Sequence, residues 1–237
     1  MDWQFKPARD HALRPRERLA SLKREGGLVS LISHWCWRQL MGLYLRAFHR
    51  LSVTGLDNFP EPPFVIVANH ASHLDILALA SAVPARYVER VHPIAANDAF
   101  FTSFASSVFA AFAVNALPLK RRTARPKDLA LLRARLVEDR LIYILFPEGT
   151  RSRDGRMAPF KSGIGALLAA SDVPVVPCFL AGAFAALPAH RRLPRPLPLR
   201  LNVGKPVSFA ESMNDRAGWS AVAQRCESEV RRLGGDA

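Results

Sequence analysis

Two uninterrupted apolar runs constrain the fold of this chain more than any other feature. Residues 64–68 read Phe-Val-Ile-Val-Ala, and residues 141–146 read Leu-Ile-Tyr-Ile-Leu-Phe. An unbroken run of this length, bounded by polar turns, is typical of a strand buried on both faces in the middle of a parallel sheet. The chain is therefore expected to build its core around parallel strands.

From residue 51 onward, strand patterns alternate with helix patterns. Parallel strands need crossover connections, usually helical, and these connections cover both faces of the sheet. The sequence thus predicts an α/β fold, with a mainly parallel sheet flanked by helices. The strands are expected at 51–54, 64–68, 92–96, 114–119, 141–146, 173–180 and 200–203, and the helices at 72–83, 98–112, 127–140, 160–171 and 215–233.

The first 50 residues form a basic N-terminal segment, a helical appendage to the domain expected over residues 51–237. Apolar and polar residues recur at helical spacing over residues 28–50, with arginines before and within the stretch. Such an amphipathic helix suits a membrane surface, and it equally suits a helix packed across the domain. Residues 1–27 lack the apolar centre of a secretory signal. The uncharged stretch 99–119 contains several polar residues, which favours a buried helix and strand over a membrane span.

Composition limits the class of partner. The formal net charge is +13, which calls for an anionic partner such as nucleic acid, anionic lipid or a phosphorylated small molecule. The chain has no aromatic RNA-binding signature, zinc finger or basic recognition helix, which disfavours nucleic acid. The three cysteines form no Cys-x-x-Cys pair, so neither a disulfide framework nor a zinc module is expected.

The turn after the run 64–68 carries the residues best suited to chemistry. His70 and Asp75 are five positions apart and would diverge on a regular helix, so they meet only if His70 lies in the turn and Asp75 in the first helical turn. The carboxylate would then hold one ring nitrogen and leave the other free to take a proton. Two alternatives are open: a structural capping box from Ser72 to Asp75, and a metal site formed by His70, His73 and Asp75.

Two further loops are expected near this turn, because loops after parallel strands gather at one edge of the sheet. One carries Arg121 in a Lys-Arg-Arg cluster, and the other carries Glu148 and Arg151. Arginine binds phosphate through two parallel hydrogen bonds, which makes both arginines candidate phosphate ligands. The alternatives are a solvated surface cluster at Arg121 and a structural Glu148–Arg151 ion pair. Since no protein nucleophile motif is present, the substrate's own hydroxyl is the expected nucleophile.

Three sequence blocks together resemble a known family. They are Asn69-His70-x-x-x-x-Asp75, then Phe-Pro-Glu-Gly-Thr-Arg-Ser at 146–152, then Val-Pro-Val-Val-Pro at 173–177. In this order they resemble the lysophospholipid acyltransferases, which include the 1-acylglycerol-3-phosphate acyltransferases, and the resemblance extends over about residues 50–207. It implies the glycerolipid acyltransferase-like fold and a place in phospholipid biosynthesis.

The resemblance also implies a reaction and its residues. A fatty acyl group would pass from acyl-CoA or acyl carrier protein to the hydroxyl of a lysophospholipid, with 1-acylglycerol-3-phosphate the first choice of acceptor. His70 would be the general base and Asp75 its orienting carboxylate. Acceptor binding would fall to Glu148, Gly149, Thr150, Arg151 and Arg121. Neither cofactor nor metal is implied.

One departure from the family pattern leaves other acceptors open. Lys120 stands where the family has an acidic residue before the arginine that matches Arg121. The acceptor could therefore be another lysolipid or hydroxylated lipid. The expected location is the cytoplasmic face of the membrane, peripheral or monotopic, with anionic membrane lipids as partners and no nucleic acid. A non-catalytic basic membrane-binding protein and a metallohydrolase are the alternative functions.

Overall fold

The computed structural model describes residues 8–96, 103–119 and 125–235. Within these ranges, 3-10 helices span Leu56–Asn58 and Ala85–Arg90. The α-helices are α1 (Pro15–Leu19), α2 (Leu28–His49), α3 (Leu74–Ala82), α4 (Phe104–Phe112), α5 (Pro126–Glu138), α6 (Gly163–Leu168), α7 (Ala183–Ala186) and α8 (Arg216–Gly234). The strands are β1 (Ser52–Thr54), β2 (Phe64–Ala68), β3 (Val91–Ala96), β4 (Leu117–Leu119), β5 (Ile142–Leu145), β6 (Ser171–Ala181), β7 (Arg200–Val203) and β8 (Val207–Phe209).

The strands of the described ranges form one sheet in the order β1-β7-β6-β2-β5-β3-β4, with β8 paired to β6 outside this path. The strands β6, β2, β5, β3 and β4 are mutually parallel. β7 and β8 run antiparallel to β6, and β1 is parallel to β7. The carboxyl ends of the parallel strands therefore share one edge, which is the edge where α/β proteins place their ligands.

Alternate residues of β2 supply the two layers of the core. Phe64 and Ile66 pack with Leu79 of α3 in one cluster. Val65 and Val67 pack on the opposite face with residues of α5, α6 and α8. All five β2 side chains are buried. This explains the unbroken apolar run, and it confirms the prediction of a mainly parallel sheet covered on both faces by helices.

The N-terminal helix α2 is joined to the α/β core. Its Leu45 is fully buried in the same cluster as β2 and α3. Arg38 donates from Nε to the carbonyl of Ala80 (3.1 Å) and from Nη2 to that of Ser81 (3.1 Å), near the end of α3. These carbonyls lack partners within their own helix, so the guanidinium supplies them. The predicted amphipathic helix is present, and the division of the chain at residue 50 stays a prediction.

Most predicted elements are present with slightly different ends. The predicted helix at 160–171 shortens to Gly163–Leu168, and β6 begins at Ser171 because it pairs there with Phe209 of β8. β8 and α7 were not predicted, since each is too short to show a repeating apolar pattern. Of the predicted helix at 98–112, residues 98–102 lie outside the described residues.

Candidate active site

The turn between β2 and α3 brings His70 and Asp75 together. His70 lies in the turn, and Asp75 is the second residue of α3. The His70 Nδ1 and Asp75 Oδ2 atoms are 2.9 Å apart. A carboxylate only accepts hydrogen bonds, so Nδ1 carries the proton and Nε2 is left as an acceptor. This is the tautomer that a general base requires.

The same carboxylate oxygen also holds the backbone of the turn. Asp75 Oδ2 accepts hydrogen bonds from the N–H groups of Ala71 (2.7 Å) and Ser72 (2.8 Å). The Asp75 side chain is fully buried, and its Oδ1 atom has no hydrogen-bond partner among the described residues. The capping-box interpretation is therefore confirmed in part, because Asp75 accepts a hydrogen bond from the Ser72 amide. The residue before the first helical position is His73, however, and not Ser72.

Phe146 forms one side of the histidine pocket. Its ring lies against the His70 ring with 4.1 Å between centroids and 18° between planes. Phe146 directly follows β5, which neighbours β2 in the sheet. The stacking restricts the imidazole to one plane, and the side chain of His70 keeps 11% of its surface exposed.

Glu148 joins the loop after β5 to the His70 turn. Its Oε1 atom accepts the His70 N–H at 2.6 Å, and its Oε2 atom accepts the Ala158 N–H at 2.9 Å. The residue is 3% exposed. Burial raises the pKa of Glu148, and the two N–H donors partly offset this shift. Glu148 and Arg151, both within the described ranges, form no ion pair, and the Glu148 carboxylate bonds backbone amides instead.

A second hydrogen bond ties the same two loops together, as the Ser152 N–H donates to the His70 carbonyl at 2.8 Å. Between these two attachments, Thr150 is exposed and Arg151 is partly exposed. His73 reaches the surface, but the protein packed around it lowers its pKa, and the positive charge of Arg151 lowers it further. The positive charge of Arg151 is therefore close enough to affect the His73 ring.

The predicted site residues are only partly assembled by the described structure. It brings together His70, Asp75, Glu148 and Gly149, and Arg151 is within electrostatic range. Arg121 lies outside the described residues, and the phosphate-binding role predicted for it stays a prediction. Within the described ranges, no three His, Cys, Asp or Glu side chains are grouped as metal ligands.

An apolar cavity of about 190 Å³ opens beside His70. Of the described residues that line it, only His70 and Lys161 have polar side chains. The apolar lining includes Leu119, Leu129, Leu132, Leu145, Ile164 and Leu167. Lys161 was missed from the sequence, because a single lysine between Phe160 and Ser162 belongs to no recognisable pattern.

Lys161 reaches the cavity across Gly149. Gly149 has a φ of 77°, and a Cβ atom there would lie 2.5 Å from Lys161 Nζ and 3.3 Å from its Cε. The left-handed backbone favours glycine at this position, and a side chain here would displace the end of Lys161. The backbone N–H of Lys161 donates to the Pro147 carbonyl at 3.0 Å, which holds its segment against the loop.

The sequence of this chain is similar to those of several curated proteins. The chain is 32% identical to the chloroplastic 1-acyl-sn-glycerol-3-phosphate acyltransferase BAT2 of Brassica napus, over 65% of this chain and 44% of that protein. It is also 32% identical to the human 1-acyl-sn-glycerol-3-phosphate acyltransferase alpha, over 59% of this chain and 49% of that one. The chain thus spans about half the length of these curated relatives.

The fold has a counterpart among solved structures. The crystal structure of PlsC, the 1-acyl-sn-glycerophosphate acyltransferase of Thermotoga maritima, superposes with a TM-score of 0.65 at 23% sequence identity. The match covers 95% of this chain and 84% of that one, so the two share their fold. The family model described as Acyltransferase matches residues 50–181, which is more than half of the 237 residues. The chain therefore belongs to the acyltransferase family.

Proposed function

We propose that this protein transfers a fatty acyl group from acyl-CoA or acyl carrier protein to the free hydroxyl of 1-acylglycerol-3-phosphate. The observation that carries the proposal is the His70–Asp75 pair, 2.9 Å apart at the mouth of an apolar cavity. The names of the two relatives support the choice of acceptor. Another lysolipid or hydroxylated lipid is the alternative, because Lys120 departs from the family pattern.

In the proposed mechanism, His70 Nε2 takes the proton of the acceptor hydroxyl as its oxygen attacks the thioester carbonyl carbon. Asp75 stabilises the imidazolium that forms and keeps the ring in place. The tetrahedral intermediate then collapses, the carbon–sulfur bond breaks, and the imidazolium returns the proton to the departing thiolate. The products are the acylated lipid and a free thiol, so the enzyme ends in its starting state.

The cavity beside His70 provides a place for an acyl chain. A methylene chain transferred from water to an apolar wall gains about 0.8 kcal/mol per buried CH₂ group. Binding there would bring the reacting end of the lipid to the polar mouth where His70 lies. The loop 148–151 borders this mouth, and we assign acceptor contacts to Gly149, Thr150 and Arg151, with Arg121 as a second phosphate ligand.

We further propose that α2 docks the protein on the cytoplasmic face of a membrane, where lipid acceptors and thioester donors meet. Its exposed apolar side chains, each at least 38% exposed, support this. They are Leu28, Val29, Ile32, Trp35, Leu40, Leu43 and Phe48. Exposed Lys23 precedes the helix, and exposed Arg46 and Arg50 lie at its end, where they suit anionic headgroups. No helix in the described ranges is both long and apolar enough to cross a membrane.

Thiol release tests the reaction. Long-chain acyl-CoA and acyl carrier protein thioesters are each supplied with and without 1-acylglycerol-3-phosphate, and wild type is compared with His70→Ala and Asp75→Asn. We expect acceptor-dependent release by the wild type, a loss of at least a hundredfold in His70→Ala, and a large loss in Asp75→Asn, since general base catalysis contributes about a hundred- to ten-thousandfold.

The control is His190→Ala, an exposed histidine outside the site that should leave activity unchanged. Thermal unfolding of each variant shows whether the fold is kept. Near-wild-type release by a folded His70→Ala variant would contradict the mechanism. Release that needs His70 but not the acceptor would indicate hydrolysis, and vesicle binding without any turnover would favour a non-catalytic membrane-binding protein.

A further inference from the structure

Lys161 lies at the cavity beside His70, and no acidic side chain of the described residues forms an ion pair with it. Its ammonium group lines the apolar cavity that holds His70. Within the described ranges, Lys161 Nζ has neither an ion pair nor a hydrogen bond to any side chain or carbonyl. The nearby carboxylate of Glu148 is buried and already accepts two backbone amides. Lys161 is exposed, so water can solvate its ammonium group, and a positive charge at the mouth of a cavity attracts anionic ligands.

The Lys161 side chain reaches the mouth of the cavity over Gly149. Lys161 Cδ, Cε and Nζ all lie within 3.4 Å of the place where a Gly149 Cβ would stand, so the side chain extends along the glycine backbone. The Lys161 backbone is held to Pro147 at 3.0 Å, and Pro147 follows the Phe146 ring that stacks on His70. The backbone of Lys161 is thus attached to the loop after β5, and the Phe146 ring at the start of that loop packs on His70.

We propose that Lys161 is a phosphate-binding residue of the site, a role that rests on the acyl transfer proposed above. Lysine binds phosphate as a mobile point charge, which suits an ammonium group with no fixed partner. An oxyanion donor must instead be held rigidly before the reaction begins, and no hydrogen bond holds Nζ in that way. The geometry therefore favours binding of an anionic group of the unreacted substrate over stabilisation of the tetrahedral intermediate.

Two substrates bring phosphate to this reaction. In 1-acylglycerol-3-phosphate, the phosphate is a few bonds from the hydroxyl that His70 would deprotonate. In acyl-CoA, the whole pantetheine arm separates the phosphates from the thioester. Since Lys161 and His70 line the same small cavity, the acceptor phosphate is the ligand that we assign to Lys161.

The test compares Lys161→Ala, Lys161→Arg and wild type in kcat and KM. The substrates are 1-acylglycerol-3-phosphate, acyl-CoA and a monoacylglycerol with the same acyl chain but no phosphate. We expect the KM of Lys161→Ala for the phosphorylated acceptor to rise at least about tenfold, because a hydrogen bond to a charged group is lost. Its KM for acyl-CoA and its rate on monoacylglycerol should change little, and Lys161→Arg should recover most of the affinity.

The matched control is Lys205→Ala, which removes an exposed lysine that does not line the cavity. It should leave every constant unchanged. A KM rise for acyl-CoA alone would overturn the assignment to the acceptor, and a fall in kcat with both KM values unchanged would overturn ground-state phosphate binding. If wild type itself shows no His70-dependent transfer, the proposed function fails. If wild type transfers acyl groups and Lys161→Ala matches it in every constant, only the role of Lys161 fails.

Discussion

At the scale of single residues, one oxygen atom organises the histidine turn. Asp75 Oδ2 accepts from His70 Nδ1 and from the amides of Ala71 and Ser72. Hydrogen bonds from charged or partly charged donors to a buried carboxylate are stronger than those in water, because little solvent competes. Asp75 consequently fixes both the ring and the backbone that carries it, so the helix end and the His70 imidazole depend on the same group.

Glu148 has a positioning role that kinetics can separate from acceptor binding. Glu148→Gln replaces one accepting oxygen with an NH₂ group, which would face the N–H of either His70 or Ala158. We expect kcat to fall about tenfold or more with acceptor KM little changed, and the free energy of unfolding to fall by about 1–3 kcal/mol.

The matched control for this variant is Glu61→Gln at an exposed site whose side chain keeps 72% of its surface accessible. Steady-state kinetics over a range of acceptor concentrations measures the two constants, and urea unfolding measures stability. A rise in acceptor KM with kcat unchanged would instead support the acceptor contact that the sequence predicted for Glu148.

The contact between His70 and Asp75 could be predicted because the two residues are only five positions apart and the contact depends on where a helix begins. The contacts of Glu148 and Lys161 could not. Glu148 reaches a backbone amide 78 positions earlier in the chain, and the end of the Lys161 side chain lies over Gly149, 12 positions earlier. Pairings of this kind follow from the packed loops and leave no periodic signal in the sequence.

At the scale of elements, α2 has two different faces. The inner face buries Leu45 and packs on α3, while the outer face exposes large apolar side chains. The helix therefore packs across the domain, as one interpretation of the periodicity expects. The membrane-surface interpretation stays a prediction, which the exposed apolar side chains support. The sequence could not decide between them, because a helical pattern gives the width of an apolar face and not what covers it.

Vesicle binding tests whether the exposed apolar face of α2 binds a membrane. The double variant Ile32→Glu with Trp35→Glu places two carboxylates among side chains that are 53% and 48% exposed. We expect binding to vesicles of phosphatidylglycerol and phosphatidylcholine to weaken at least about tenfold, since burial of one large apolar side chain contributes about 1.5–3 kcal/mol. Sedimentation with vesicles measures the bound fraction.

The control makes the same charge change elsewhere, with Leu193→Glu and Met213→Glu at side chains that are 76% and 70% exposed. It should bind vesicles like the wild type. Equal weakening of both double variants would show that net charge, rather than α2, governs membrane binding.

At the scale of the whole molecule, the candidate site lies at the carboxyl ends of the parallel strands, and a buried polar cluster lies near their amino ends. The cluster contains His34 of α2 and His92 of β3, with Arg24 and Arg135 nearby, all less than 9% exposed. Burial and the neighbouring Arg38 and Arg24 charges lower the pKa of His34 to about 4. Burial and the charges of Arg24 and Arg135 lower that of His92 to about 3.

These shifts predict acid sensitivity of the fold. Between pH 6.5 and about 4, the unfolded chain binds protons on both histidines while the folded protein does not, so stability falls as the pH falls. We expect each histidine to cost about 2 kcal/mol between pH 7.5 and 5. Urea unfolding at these two values should therefore show a smaller decrease for His34→Leu than for wild type.

His190→Leu is the matched control, because His190 is exposed and lies outside the buried cluster. Its decrease in stability between the two pH values should equal that of the wild type. An equally steep decrease in His34→Leu would contradict the assignment of acid sensitivity to this buried histidine.

The hydrogen bonds that join the Glu148 carboxylate and the Ser152 amide to the backbone of His70 have a consequence for the synthesis of the protein. A ribosome completes the segment with His70 and Asp75 well before it makes the loop that holds the histidine in place, since Glu148 comes 78 residues later. Domains generally fold as units once enough chain has emerged. A partly made chain would therefore carry both residues of the motif without the contacts that hold His70. Under the proposed mechanism, His70 would act as a base only after β5 had joined the sheet.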